Sequence, residues 1–178
     1  YYLDDFTTSI KYLQKSIKID QFFKESYYWL GKSLVSIDKW FEAIHYFKKA
    51  FKLDNQNINY IKSLAFAEFK VGNMVSSVEL YQNALDLDPA NFNISLDFSL
   101  MYYESGDVEK AISIIEDSID EVPHESLLYY RLVIYLMDAG KYKESINVLE
   151  SALSLNFDNH EVLFDFVPNF ESQSALIR

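Results

Sequence analysis

The sequence predicts an all-α protein, a solenoid of helical hairpins, and three observations predict it. Related segments recur on a fixed period of 34 residues: YFKKAFKLDN at 46–55, LYQNALDLDP at 80–89, IIEDSIDEVP at 114–123 and VLESALSLNF at 148–157. Aligned on that period, small side chains fall into two columns, Ser9, Ala43, Ser77, Ala111, Ser145 and, seven residues on, Ser16, Ala50, Ala84, Ser118, Ala152. Helix breakers align as well, with Gly72, Gly106 and Gly140 in one column and Pro89 and Pro123 in another. A period of this length marks units that bury their apolar face only by stacking on one another.

The elements follow in order. Residues 4–21 read as a partial repeat, a lone second helix over 4–19 carrying Ser9, Ser16 and Ile17. Four full hairpins follow at 24–55, 58–89, 92–123 and 126–157. In each, small residues seven apart leave a shallow groove on a 3.6-residue helix, and the next position is apolar (Phe51, Leu85, Ile119, Leu153), so a neighbouring helix can settle at about 8–10 Å. The turn inside each hairpin falls at Asp38, Gly72, Gly106 and Gly140, where a left-handed residue ends the first helix. Pro89 and Pro123 stop the second helix, because proline cannot continue it. Residues 158–178 read as a truncated closing repeat, and with no long unpatterned linker the expectation is a single repeat domain over 1–178.

Composition agrees with an ordered chain: 49% of residues are hydrophobic and 17% aromatic, with only 4 Gly and 3 Pro. The absence of cysteine excludes a disulfide framework and a thiolate metal site, and leaves the compartment open, with the cytoplasm the favoured expectation. The longest apolar run, LLYYRLVIYLM at 127–137, is broken by Arg131 and is far shorter than the roughly 20 residues a spanning helix needs, so no membrane insertion is expected. The opening YYLDDF has neither Met nor a leader pattern, which predicts a piece of a longer polypeptide.

The layout resembles the tetratricopeptide repeat over nearly the whole chain. The residues that carry the resemblance are the columns Leu30, Leu64, Phe98, Leu132; Gly31, Ala65, Ser99, Val133; Phe47, Tyr81, Ile115, Leu149; the two small columns; and the two prolines. Two departures stand out. The early first-helix aromatic, present as Tyr27 and Tyr129, becomes Ile61 and Ser95, and Val133 replaces a small residue. The ending LNFDNHEVLFDFVPNF is similar to closing segments of some bacterial members. The resemblance implies a right-handed α-solenoid, a superhelix whose concave face is lined by first helices and whose convex face is formed by second helices.

No catalytic, cofactor-binding or metal site is predicted. His45, His124 and His160 are never three or four apart, and no HExxH occurs. All four glycines serve the repeat, so no phosphate cradle forms. The carboxylate pairs Asp4–Asp5, Glu116–Asp117 and Asp120–Glu121 are adjacent in sequence and point apart on a helix, and the serines have no partnered base. Chemistry would need a site that this pattern does not supply.

The first-helix positions left free by the core columns are the candidate ligand residues. They are Tyr28, Lys62, Leu96, Tyr130; Lys32, Phe66, Leu100, Ile134; and Phe69, Tyr103, Met137 with Val35. An apolar stripe where a solvated groove is polar marks a binding surface, and aromatic rings are the usual hot spots. The resemblance also invites a search for the family's carboxylate clamp. In repeats two to four only Lys62 and Arg131 match it, while Phe66, Asp97 and Leu127 fill the other places. One repeat earlier the places hold Tyr28, Lys32, Ser63, Asn93 and Asp97, so the clamp is not expected.

Charge is lopsided: residues 1–90 hold 11 Lys+Arg and 11 Asp+Glu, whereas 91–178 hold 5 and 16, so the second half accounts for the net −11. Nucleic acid and anionic membrane are disfavoured partners. The functional expectation is a non-catalytic protein–protein interaction scaffold binding a peptide or helix in an aromatic-lined groove, with Lys62 and Arg131 reading polar groups. The alternatives are a self-assembly module, giving a homo-oligomer, and the recruiting arm of an enzyme whose catalytic domain lies outside this segment.

Overall fold

The computed structural model describes residues 2–163, with side chains from Asp5 onward. Among these residues it contains nine α-helices and one 3-10 helix and no strand. They fall into two compact units, Tyr1–Leu87 and Asp88–Arg178.

The first unit holds α1 (Tyr2–Ile19), α2 (Lys24–Val35), α3 (Trp40–Leu53), α4 (Ile58–Lys70) and α5 (Met74–Leu87), each packed on the next, with α2 also touching α4. Its core gathers Leu30, Leu34, Ile44, Phe47 and Leu64 around Ala43 and Ala67. The small columns lie in the helix contacts. Ala43, Ala50, Ser77 and Ala84 are fully buried, and Ser16 and Ser26 hydroxyls meet at 2.7 Å where α1 crosses α2. Asn57 caps α4 by accepting from the Asn59 and Tyr60 amides, and the Lys24 ammonium meets the Asp54 carboxylate at 2.5 Å, fastening the start of α2 to the end of α3.

The second unit holds α6 (Phe92–Glu104), α7 (Val108–Glu121), α8 (Ser126–Asp138), α9 (Tyr142–Leu155) and a 3-10 turn, η1 (Phe157–Glu161). Asp107 caps α7 by accepting from the Lys110 amide. α8 is the centre of this unit. It packs on α6, α7, α9 and η1, and nine of its 13 residues are buried, from Ser126 and Leu128 to Met137. A helix this apolar keeps little solvent face: Leu127, Tyr129 and Arg131 are half-buried and Asp138, at its end, is exposed.

The turn column behaves as its residues require. φ is +61° at Asp38, +86° at Gly72, +90° at Gly106 and +76° at Gly140, so one aspartate tolerates the left-handed conformation that glycine takes without strain. Among the described residues no helix is long and apolar enough to cross a membrane.

Candidate peptide-binding face

In the first unit, α2 and α4 carry the expected residues Tyr28, Lys32, Lys62, Phe66 and Phe69. Tyr28 is half-buried, its ring 5.0 Å from Tyr60, 6.1 Å from Phe47 and edge-on to Trp29 at 5.2 Å. Lys32 is exposed and Lys62 half-buried. Phe66 is 37% exposed and meets the edge of Trp40 at 5.7 Å, while Phe69 is half-buried. The Lys70 ammonium stands over both rings, 5.1 Å from Phe66 and 5.3 Å from Phe69, within cation–π range. This part of the expected set remains at or near the surface, rings and lysines together.

The second unit treats the same register differently. Tyr130, Ile134 and Met137, expected to line the groove, are core residues at 0%, 2% and 8% exposure. The cause is the all-round burial of α8, and the Tyr130 hydroxyl is committed to the Asn156 carbonyl at 2.8 Å. Burial, with the Asp158 charge behind it, pushes the Tyr130 phenol above its ordinary pKa. Leu96, Leu100 and Tyr103 are half-buried, and Tyr103 stacks on Tyr135 at 4.7 Å. Arg131 is turned to the same ring, its guanidinium 5.9 Å above it and Nη1 donating to the Tyr135 hydroxyl at 3.4 Å. The inner positions of this unit are therefore largely engaged in packing.

Three side chains of the first unit were missed. Trp29, 55% exposed, directly follows the Tyr28 column and shares a repeat position with Arg131, which was the available signal. Phe41, 78% exposed, and Trp40 open α3 and line a surface cleft of about 340 Å³ with Lys70 and Val71. They lie just beyond the Asp38 turn, outside the first-helix columns. Among the described residues no group of three or more His, Cys, Asp or Glu side chains could hold a metal ion. His45 and His124 are exposed, and His160 Nδ1 lies 2.7 Å from the Phe157 carbonyl.

Paired helices on a 34-residue register, with small residues in the contacts and a left-handed residue in each turn, define an all-α helical-repeat solenoid. Residues 24–57 and 127–159 match the tetratricopeptide repeat. Those two spans of the chain carry tetratricopeptide repeats. Solved structures share the fold. A MamA protein superposes with a TM-score of 0.70 at 23% identity, covering 89% of this chain and 86% of that one. A MamA fragment from Desulfovibrio magneticus RS-1 gives 0.68 at 17% identity over 84% and 85%. YrrB, described as a TPR protein with an unusual peptide-binding site, gives 0.60 at 13% identity over 93% and 88%. No curated protein matches in sequence.

Proposed function

We propose that the chain is a non-catalytic protein–protein interaction scaffold that takes a peptide or helix on the first-helix face of its first unit. The observation that carries this reading is the pair of aromatic side chains left in water on α2 and α4, Trp29 at 55% and Phe66 at 37% exposure, set among Lys32, Lys62 and Lys70. Rings of this size are the anchors around which binding energy concentrates, because they bury a large area at little rotamer cost. The peptide-binding site named for YrrB, a protein of similar fold, supports the same reading. Of the residues expected to bind in the second unit, Leu96, Leu100, Tyr103 and Arg131 are half-buried and the others lie in the core.

The test is a peptide-array screen with the labelled chain, repeated with Trp29→Ala and Phe66→Ala. The reading expects loss of the captured sequences in both variants with the helical circular-dichroism signal unchanged. Captured peptides that bind the two variants as well as the wild-type chain would overturn it.

A further inference from the structure

The last helices of the second unit leave an apolar cleft open to solvent. Residues of α7, α8 and α9 enclose about 440 Å³ there, and Ile119, Leu132 and Val148 form its apolar wall. Tyr129 lines the same cleft, half-buried, and its hydroxyl donates to the Pro123 carbonyl at 2.9 Å, which holds the ring in place.

The rim of the cleft is acidic. Glu116 and Asp120, one helical turn apart on α7, are exposed and both line it, and no lysine or arginine lines it with them. Among the described residues no hydrogen bond or ion pair engages either carboxylate. The charge of Glu116 is felt by Lys141, but that ammonium is committed to Glu109 at 2.6 Å. α7 carries five carboxylates against Lys110 and α9 two against Lys143, and neither lysine lines the cleft. This placing works against the helix. Like charges at i and i+4 repel, and Asp120 stands with Glu121 in a last turn that holds no basic residue, the end where the helix dipole disfavours anions. A cation bound between Glu116 and Asp120 would relieve both effects.

We propose that this cleft docks a basic segment of a partner protein, the stem of one arginine lying along Ile119, Leu132 and Val148 and its guanidinium between Glu116 and Asp120. An arginine joins an apolar stem to a planar head with five donors, which can serve two carboxylates at once, and the Tyr129 ring beside the cation adds to the attraction. Asn147, exposed on the α9 side of the cleft, supplies a further acceptor in its amide oxygen. Lysine offers the same stem but a point charge in place of the fork. The cleft belongs to the second unit and shares no residue with the face proposed above.

The test uses the full chain and four labelled peptides, identical except that their basic positions hold Arg, Lys, Gln or Glu, with binding read by fluorescence anisotropy at low and high salt. The Arg peptide should bind at least about tenfold more tightly than the Gln peptide, ahead of the Lys peptide, and should weaken with salt, since exposed charges are screened. Glu116→Gln/Asp120→Asn should remove that preference, whereas Asp117→Asn/Glu121→Gln, which removes the same charge from the same helix outside the cleft, should keep it. All four side chains are exposed, and circular-dichroism melts check that each variant stays folded. Equal losses in the two double variants would overturn the cleft in favour of diffuse attraction to an acidic surface. Equal binding of the Arg and Gln peptides, or binding by none of the four, would overturn the basic partner. Loss of the Arg peptide in Trp29→Ala/Phe66→Ala alone would place it on the first unit, overturning the cleft and leaving the reading of that face standing. Sedimentation of the chain by itself covers the remaining occupant: self-association abolished by Glu116→Gln/Asp120→Asn would make it a second copy and overturn a separate partner.

Discussion

Gly31, inside α2, lies directly against the ring of Phe47 on α3: a Cβ added to Gly31 would stand 2.5 Å from Phe47 Cε1 and 2.6 Å from Cδ1. Both residues are fully buried, so the ring has nowhere to go. The pairing also accounts for the departure at Val133. Down the chain this first-helix position runs Gly31, Ala65, Ser99, Val133, while its partner column runs Phe47, Tyr81, Ile115, Leu149. In this register the aromatic rings Phe47 and Tyr81 fall with the smallest partners, Gly31 and Ala65, and the smaller Ile115 and Leu149 fall with Ser99 and Val133, so large is matched to small and the space between the helices stays filled.

Gly31→Ala should therefore destabilise the first unit by about 1–3 kcal/mol through overpacking, in spite of the roughly 1 kcal/mol by which alanine favours a helix over glycine. Phe47→Leu alone should also destabilise, by leaving a void. Combined, the two should cost less than the sum of the single changes, because the smaller side chain makes room for the new methyl. Urea unfolding of the four proteins gives the coupling, and strict additivity would show that the two positions do not share one space.

The Lys24–Asp54 pair gives a pH dependence with a definite sign. The hydrogen bond from Lys24 holds the Asp54 carboxyl below its ordinary pKa, and the same bond raises that of Lys24. A depressed carboxyl contributes stability that is present above its unfolded pKa and lost as pH falls through the folded value, here below about pH 4. The raised ammonium contributes below its unfolded pKa and loses its part at strongly alkaline pH. Asp54→Asn should thus be less stable than the wild-type chain at pH 7, and the gap should close towards pH 3. A gap that stays constant between pH 7 and pH 3 would count against the pair.

Much of the fold was legible because the period is enforced by backbone geometry. The turn column needs a left-handed residue and the contact columns need small ones, so the hairpin helices lie where those markers put them. The fate of the inner positions depends on something that the period does not encode, namely how much apolar surface each neighbour supplies. Phe66 and Ile134 share a column, yet Phe66 keeps an open side, while Ile134 sits in a helix closed by α6, α7, α9 and η1. The run LLYYRLVIYLM held that information: eleven residues with one charge leave no polar stripe, the mark of a helix buried all round. Glu68 was illegible for the opposite reason, since its partners Asn73 and Lys48 come from outside its own helix.

The small columns predict a contrast between two leucine substitutions. Ala84 is fully buried in α5 and Lys49 is exposed on α3. Ala84→Leu should force helices apart at about 1–3 kcal/mol, whereas Lys49→Leu should change stability by less than about 0.5 kcal/mol. Thermal melts that shift equally in the two variants would mean that Ala84 does not occupy a close helix contact.

Tyr130 and Phe66 separate core from binding face. Tyr130 is closed off on all sides with its hydroxyl donated to Asn156, so Tyr130→Ala should cost about 3–5 kcal/mol, in the range of aromatic truncations in cores, and Tyr130→Phe about 0.5–1.5 kcal/mol for the lost hydrogen bond. Phe66 contacts Trp40 and Lys70 but keeps an open side, so Phe66→Ala should cost less than about 1 kcal/mol while removing a ring available to a ligand. With any peptide taken from the array, Tyr130→Phe should bind like the wild-type chain and Phe66→Ala should lose binding by tenfold or more, about 1.4 kcal/mol or above. The hydroxyl change is the informative one, because it leaves the ring and the packing in place. If Tyr130→Phe released the peptide while the melting temperature held, α8 would have to present Tyr130 to the ligand, and the assignment of the binding face to the first unit would be wrong.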